Sequence, residues 1–246
     1  MMTLQINNLV KSFDEELIID SLSFEVREQE FVTLLGPSGC GKSTILNIIA
    51  GLLNPTKGEI LYEDYDITGK IGFVSYMFQN HLLLPWKNTF NNIYLPIKIT
   101  KRENEVSKSD VIELMNEFGL DGSQNKYPKE LSGGMKHRAS LLRTYLMGKK
   151  IILLDEPFGA LDTITRRKLG FWLLSIAQKF KLTILFITHD IDESIVLSDR
   201  VLVLSKKPAK LLKEFPIELD KSKTEEIFLN DDFIKLKKKI TELLYL

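Results

Sequence analysis

Apolar and polar residues alternate over the first 29 positions, as in LQINNLV and LSFEVRE. A period of two predicts short antiparallel strands with one wet face. FVTLLG (31–36) is then apolar almost without a break, as expected of a strand covered on both faces. STILNIIAGLL changes to helical spacing and ends at Gly51, with Pro55 beyond as a stop. GEILY (58–62) and IGFVSYMFQ (71–79) return to strand character. From His81 to about Gly148 the pattern is helical throughout, in SDVIELMNEFGL (109–120) and MKHRASLLRTYLMG (135–148), with no strand between. Three more apolar strands follow, IILLD (151–155), TILFITHD (183–190) and VLVLS (201–205), separated by helical material. DDFIKLKKKITELLYL closes the chain as a helix with Phe233, Leu236, Ile240 and Leu243 on one stripe and its lysines on a solvated face.

Strands alternating with helices predict an α/β fold with a mostly parallel sheet covered on both faces. The expected organisation is one domain of 246 residues. Its catalytic core is 1–80 and 149–220, with an antiparallel β part at the N-terminus, a helical insertion over 81–148 and a helical tail over 221–246. Composition adds exclusions. With 44% apolar and 27% charged residues the chain can bury a sizeable core, and its formal net charge of zero supplies no global field for nucleic acid or acidic lipid. The apolar runs are strand-sized, too short to span a bilayer, and the N-terminus lacks the features of a secretory signal. A single cysteine excludes an intramolecular disulfide. The expectation is a soluble, cytoplasmic protein.

Candidate chemistry begins with GPSGCGKST (36–44), which matches G-x-x-x-x-G-K-[ST] between a strand and a helix. Gly36, Pro37, Ser38, Gly39, Cys40, Gly41, Lys42, Ser43 and Thr44 thus form a phosphate cradle. Its glycines let backbone N–H groups turn toward phosphate oxygens, and the helix N-terminus adds a favourable dipole. Lys42 is expected on the β- and γ-phosphates and the Ser43 hydroxyl on Mg²⁺. IILLDE ends a strand in two acids: Asp155 to hold the same Mg²⁺, and Glu156 to polarise an attacking water. The Cys40 thiol, beside Lys42 and a helix N-terminus, is expected to be acidified.

A second glycine turn, LSGGM (131–135), stands between the cradle and the acid strand. It resembles the signature of the ABC ATPases, and further family elements follow in the required order. Gln79 looks like the glutamine that senses the Mg-ATP site and contributes to the metal's surroundings. Gly159-Ala160-Leu161-Asp162 resembles the loop at the dimer interface, His189 looks like the switch histidine, and Phe13 stands where an aromatic stacks on adenine. The resemblance covers most of residues 1–205. It implies that Ser132, Gly133 and Gly134 close over the ATP of a second copy, so that two ATP are held in a head-to-tail dimer. Met135 departs from the commonest glutamine, and Lys136-His137-Arg138 from the frequent continuation. A solvated helix position is expected for His137.

Transport is the activity this resemblance implies, in the importer branch, because no segment spans a membrane and the channel must be another polypeptide. QNHLLLPWKNTFNNI (79–93) and SKKPAKLLKEFPIEL (205–219) are similar to importers of nitrate, sulfonates, taurine and pyrimidine precursors. Implied partners are a second copy, an integral membrane permease that holds the chain at the cytoplasmic face, and indirectly an extracytoplasmic substrate-binding protein. Trp86, after the helix-breaking Pro85, is the expected docking anchor. The alternative is a non-transport ATPase of the same type acting on nucleic acid or ribosomes. Such a protein would carry a long coiled coil between cradle and signature, or two cassettes in one chain, and neither is present.

Overall fold

The computed structural model describes residues 2–159, 161–220 and 226–245. Ala160 and part of the expected tail lie outside the described residues.

A four-stranded antiparallel sheet runs in the order β2 (Glu16–Arg27), β1 (Met2–Phe13), β4 (Lys57–Tyr62) and β5 (Tyr65–Asp66). The first two strands are twelve residues each, longer than the alternation suggested, and several register shifts keep them bent over the core. A second, six-stranded sheet runs β10 (Leu211–Pro216), β9 (Arg200–Leu204), β3 (Phe31–Leu35), β8 (Thr183–Thr188), β7 (Ile151–Asp155) and β6 (Ser75–Met77). Five of its strands are parallel, and β10 pairs antiparallel on the edge. Period-two alternation decides how this sheet is covered. Val32, Leu34, Leu153, Leu185 and Leu202 face one core with the antiparallel sheet and α1 (Lys42–Ile49). Phe31, Leu35, Leu154, Phe186 and Val201 face the other, with the remaining helices.

Between β6 and β7 lie α2 (Thr89–Ile93), α3 (Leu95–Ile99), α4 (Lys108–Glu117) and α5 (Gly133–Tyr145). Ser107 caps α4 through a reciprocal pair with Asp110, and Ser132 caps α5 by accepting the Met135 N–H at 3.2 Å. The core side continues with α6 (Thr163–Lys179) and α7 (Ile191–Leu197), and the chain ends in α8 (Asp231–Tyr245). Phe233 and Ile240 of α8 are buried, with Leu236 and Leu243 packed beside them.

Three sequence expectations need correction. The strand expected over 71–79 narrows to Ser75–Met77, because only β7 pairs with it and Gly72 takes a positive φ of 88° just before. Strand β10 has no counterpart in the sequence reading: Leu211 to Pro216 mixes apolar and charged residues, and its partner is an edge that the sequence does not announce. His137 is buried on α5, not solvated.

Candidate active site

Strand β3 delivers the chain into the cradle at the C-terminal edge of the parallel sheet, where α/β folds bind ligands. The turn needs glycine at two positions. Gly39 has φ 77° and Gly41 φ 114°, and a Cβ on Gly41 would lie 3.0 Å from the Ile18 side chain. Gly41 then caps α1, so the helix N-terminus and its free amides point at the loop's mouth. The Lys42 ammonium is buried and donates to the carbonyls of Gly36 at 2.8 Å and Pro37 at 2.9 Å.

Beside it, β7 and β8 bring the acids and the histidine. Asp155 is buried; its Oδ1 accepts the Ser43 hydroxyl at 3.1 Å and its Oδ2 the Tyr76 hydroxyl at 3.1 Å. Burial raises the Asp155 pKa above the usual carboxylate value, against the lowering effect of those two hydroxyls. Glu156 has φ 40°, a left-handed conformation costly for a residue with a Cβ. Its Oε2 lies 3.1 Å from His189 Nδ1, and its Oε1 3.7 Å from the Lys42 ammonium. The strained residue is therefore the one held between a histidine and a lysine.

A cavity of about 420 Å³ is lined by Phe13, Ser38, Gly39, Gly41, Lys42, Ser43, Thr44, Gln79, Asp155 and Glu156, together with Ile18 and Lys207, whereas His189 and Tyr76 meet it only through Glu156 and Asp155. Phe13 is 44% exposed and carries the Lys11 ammonium 4.8 Å from its ring centroid. Tyr76, Ile18 and Lys207 escaped the sequence reading. Tyr76, in β6 a few residues before Gln79, bonds the Asp155 carboxylate, whereas Ile18 comes from a strand without a motif and Lys207 from the 205–219 stretch, which was read for its resemblance to importers and not for a site residue.

Cys40 departs from expectation. Its thiol turns away from the cavity, packs in the core and would lie 3.0 Å from a Cβ on Gly36. Burial raises its pKa, outweighing the nearby Lys42. The chain neighbours predicted an acidified thiol; the direction of the side chain reverses that. Only the Cys40 backbone remains with the cradle, its N–H bonded to Pro37 O at 3.3 Å.

The signature stands apart. Ser132 and Gly133 are exposed at the start of α5, and neither they nor Gly134 line the cavity. Leu161 lies against Gly133, 3.4 Å from where a Cβ would stand. Asp162 caps α6, accepting the Ile164 and Thr165 N–H groups at 3.1 Å each; hydrogen bonding with Thr165 is the main cause of its lowered pKa.

A divalent cation fits the donor set: a hydroxyl and a carboxylate oxygen, both hard, meet in Ser43 and Asp155. Among the described residues no cluster of three or more His, Cys, Asp or Glu could hold a metal. A small set of protein ligands, completed by phosphates and water, is the manner of Mg²⁺.

The family profile described as ABC transporter matches residues 19–159. The aliphatic sulfonates import ATP-binding protein SsuB of Bacillus cereus is 41% identical over 233 residues, covering 92% of each chain. An uncharacterized ABC transporter ATP-binding protein of Methanocaldococcus jannaschii is 37% identical, covering 98% of this chain and 91% of its own. Among solved structures, a bacterial ABC transporter cassette in dimeric form is 28% identical with a TM-score of 0.75, covering 88% of this chain and 100% of the other. A dimeric post-hydrolysis cassette bound to ADP and Pi is 27% identical with a TM-score of 0.74, over the same shares.

Proposed function

This chain belongs to the ABC transporter family and is an ATP-hydrolysing subunit, and from that premise we propose that two copies close head to tail around two ATP to drive import through a separate permease. One observation carries the reading: Lys42, Ser43, Gln79, Asp155 and Glu156 converge on one cavity, while Ser132, Gly133 and Gly134 stand outside it with a helix N-terminus free to meet another copy's phosphates.

The cradle amides and the α1 N-terminus bind the phosphates, and Lys42 exchanges its loop carbonyls for the β- and γ-oxygens. Phe13 offers a face to adenine. Ser43 and Asp155, with Gln79 at their margin, would hold Mg²⁺, which neutralises phosphate charge when bound. Glu156 orients a water and accepts its proton. Its strained backbone and its contacts with His189 and Lys42 keep the carboxylate aimed, and His189 stands ready for the charge that develops on the γ-phosphate. Asp162, at the start of α6, lies on the dimer interface. We treat 81–148 as the inserted arm that carries the signature, between the core segments 1–80 and 149–220, with 221–246 as a tail.

A relative named for aliphatic sulfonate import supports a small organic anion of the sulfonate class as cargo, delivered by an extracytoplasmic binding protein. The chain would then sit at the cytoplasmic face of the membrane, held there by the permease. Among the described residues no helix is long and apolar enough to cross a membrane, in keeping with a separate channel.

Glu156→Gln tests the mechanism. It should retain ATP affinity, lose turnover by about 10²-fold or more, and accumulate as an ATP-bound dimer on size-exclusion chromatography with Mg-ATP. Wild-type turnover in the variant would remove Glu156 from the chemistry. Copurification with a permease, and sulfonate uptake by that complex, tests the transport reading.

A further inference from the structure

Behind His189 lies a second group of charges that the hydrolysis scheme does not use. Asp190 caps α7, its Oδ1 accepting the Glu193 N–H at 3.1 Å. Glu193 turns back from the first turn of α7, and its Oε2 accepts the Thr188 hydroxyl at 2.6 Å. Arg166, from the first turn of α6, completes the group. It donates Nη2 to the Leu161 carbonyl at 3.1 Å, and it lies 3.4 Å from Asp190 Oδ2 and 3.5 Å from Glu193 Oε1. One guanidinium therefore reaches the loop before α6 and both carboxylates of the segment that bears His189. Its planar fork donates to the Leu161 carbonyl and the Asp190 carboxylate from separate nitrogens, while Nε meets Glu193 as an ion pair without a hydrogen bond, a spread that the single ammonium of a lysine reproduces only in part. Leu161 in turn packs against signature Gly133, so the same fork adjoins the signature turn.

We propose that Arg166 and Glu193 are positioning residues, locking the Leu161 carbonyl and the His189–Asp190 loop into one arrangement so that His189 stays against Glu156. The inference rests on the catalytic roles given above to His189 and Glu156. The geometry favours positioning over a surface ion pair, because the partners join two segments, the loop before α6 and the start of α7, and Glu193 is largely enclosed. Arg166 faces Glu193 from α6, and His189 and Asp190 act on it from the loop before α7; Arg167 and Asp192 line the same cavity, Arg167 with its guanidinium over the Phe228 ring at 4.2 Å and Asp192 paired with Lys237 of α8 at 2.6 Å. Burial holds the Glu193 carboxyl up to about 7, with the Thr188 hydroxyl and Arg166 pulling the other way. The charge that completes the link to Arg166 is thus present above that pH and lost below it.

The test is steady-state ATP hydrolysis by the full chain from about pH 6 to about pH 8.5, with nucleotide affinity measured alongside. Arg166→Leu should lower kcat by about tenfold or more while leaving KM within about twofold, and Arg166→Lys should recover only part of the loss. Wild-type kcat should rise through neutral pH, and Glu193→Gln should flatten that rise while binding ATP normally. Full kcat in Arg166→Leu, or an unchanged rise in Glu193→Gln, overturns the proposal. Should Arg166→Leu fail to bind ATP through misfolding, Arg166→Lys and Glu193→Gln decide the matter alone. His189→Ala separates the two layers. Full turnover there removes the catalytic reading itself, whereas slow turnover there beside full turnover in the Arg166 and Glu193 variants removes only this inference.

Discussion

The His137 imidazole stacks on that of His81, with ring centroids 5.6 Å apart and planes 14° from parallel, and its Nδ1 has no hydrogen-bond partner. Burial, with His81 as a smaller cause, lowers its pKa from 6.5 to about 4. A histidine depressed in the folded state contributes stability that is present above its unfolded value and lost as pH falls through the folded one. The window is therefore pH 6.5 down to about 4, and the full contribution is roughly 3 kcal/mol. Glu193 runs the opposite way: its raised value favours the fold at low pH, with stability lost as pH rises through about 7. A comparison with His137→Phe isolates the histidine from that background. Urea melts at pH 7 and pH 5 should show wild type losing about 1–2 kcal/mol more than the variant on acidification. Equal losses would mean that His137 is already charged, or free to leave its site.

Such details were only half legible in the sequence. His137 lies between Lys136 and Arg138, which suggested a solvated face, yet helical spacing aligns it with buried Leu141. Cys40 has the same lesson in another form. Its chain neighbours are cationic and polar, and its side-chain direction, set by the turn, decides its chemistry. Motif residues were legible because backbone and spacing alone specify a cradle; residues such as Tyr76, Lys207 and Arg166 act through contacts between distant segments, which no local pattern records.

At the scale of elements, strands buried on both faces announced themselves by unbroken apolar runs, and β3, β7, β8 and β9 fall where those runs lie. Edges were hidden, because β10 and β6 owe their extent to one neighbour each. Helix α5 was legible over 135–148, though the structure starts it at Gly133 with Ser132 as its cap, and it permits a clean test of the head-to-tail reading. A Cβ on Gly134 would meet only Leu169, at 3.8 Å, and its backbone is not left-handed. Aspartate therefore fits without disturbing the fold, and a carboxylate in the first turn is favourable to the helix itself. It would nevertheless set a negative charge against another copy's phosphates, opposing closure. Gly134→Asp should bind ATP as a monomer with near-wild-type affinity, while dimerisation and hydrolysis fail. Nucleotide binding and size-exclusion chromatography with Mg-ATP check both halves. Loss of ATP binding by the monomer would mean that the turn serves its own cradle.

For the whole molecule, the proposed import reading asks how closure around ATP would reach a separate permease. The segment after Gln79 joins the two. Arg143 of α5 donates to the carbonyls of His81 and Leu82 at 2.7 Å each, and the Ser140 hydroxyl adds a third bond to His81 at 3.1 Å. The signature helix thus grips the chain just past the cavity. A few residues on, the turn after Pro85 is pinned from beneath. Buried Asn92 accepts the Leu84 N–H at 2.7 Å and donates to the carbonyls of Leu84, Lys87 and Asn88. Trp86 rides on that fixed turn and is 71% exposed, with Leu82 also open to solvent. A large indole on a rigid loop, with little of its surface buried in its own chain, suits an interface anchor. The same fact makes the experiment clean: Trp86→Ala removes few intramolecular contacts, so the fold and basal ATP hydrolysis should persist. Permease affinity should fall by about 30-fold, as loss of a hot spot of about 2 kcal/mol implies, and uptake should fall with it. Copurification, uptake and the hydrolysis rate of the free subunit measure the three effects separately. Normal uptake with an intact complex, or loss of basal hydrolysis, would set Trp86 outside the coupling surface.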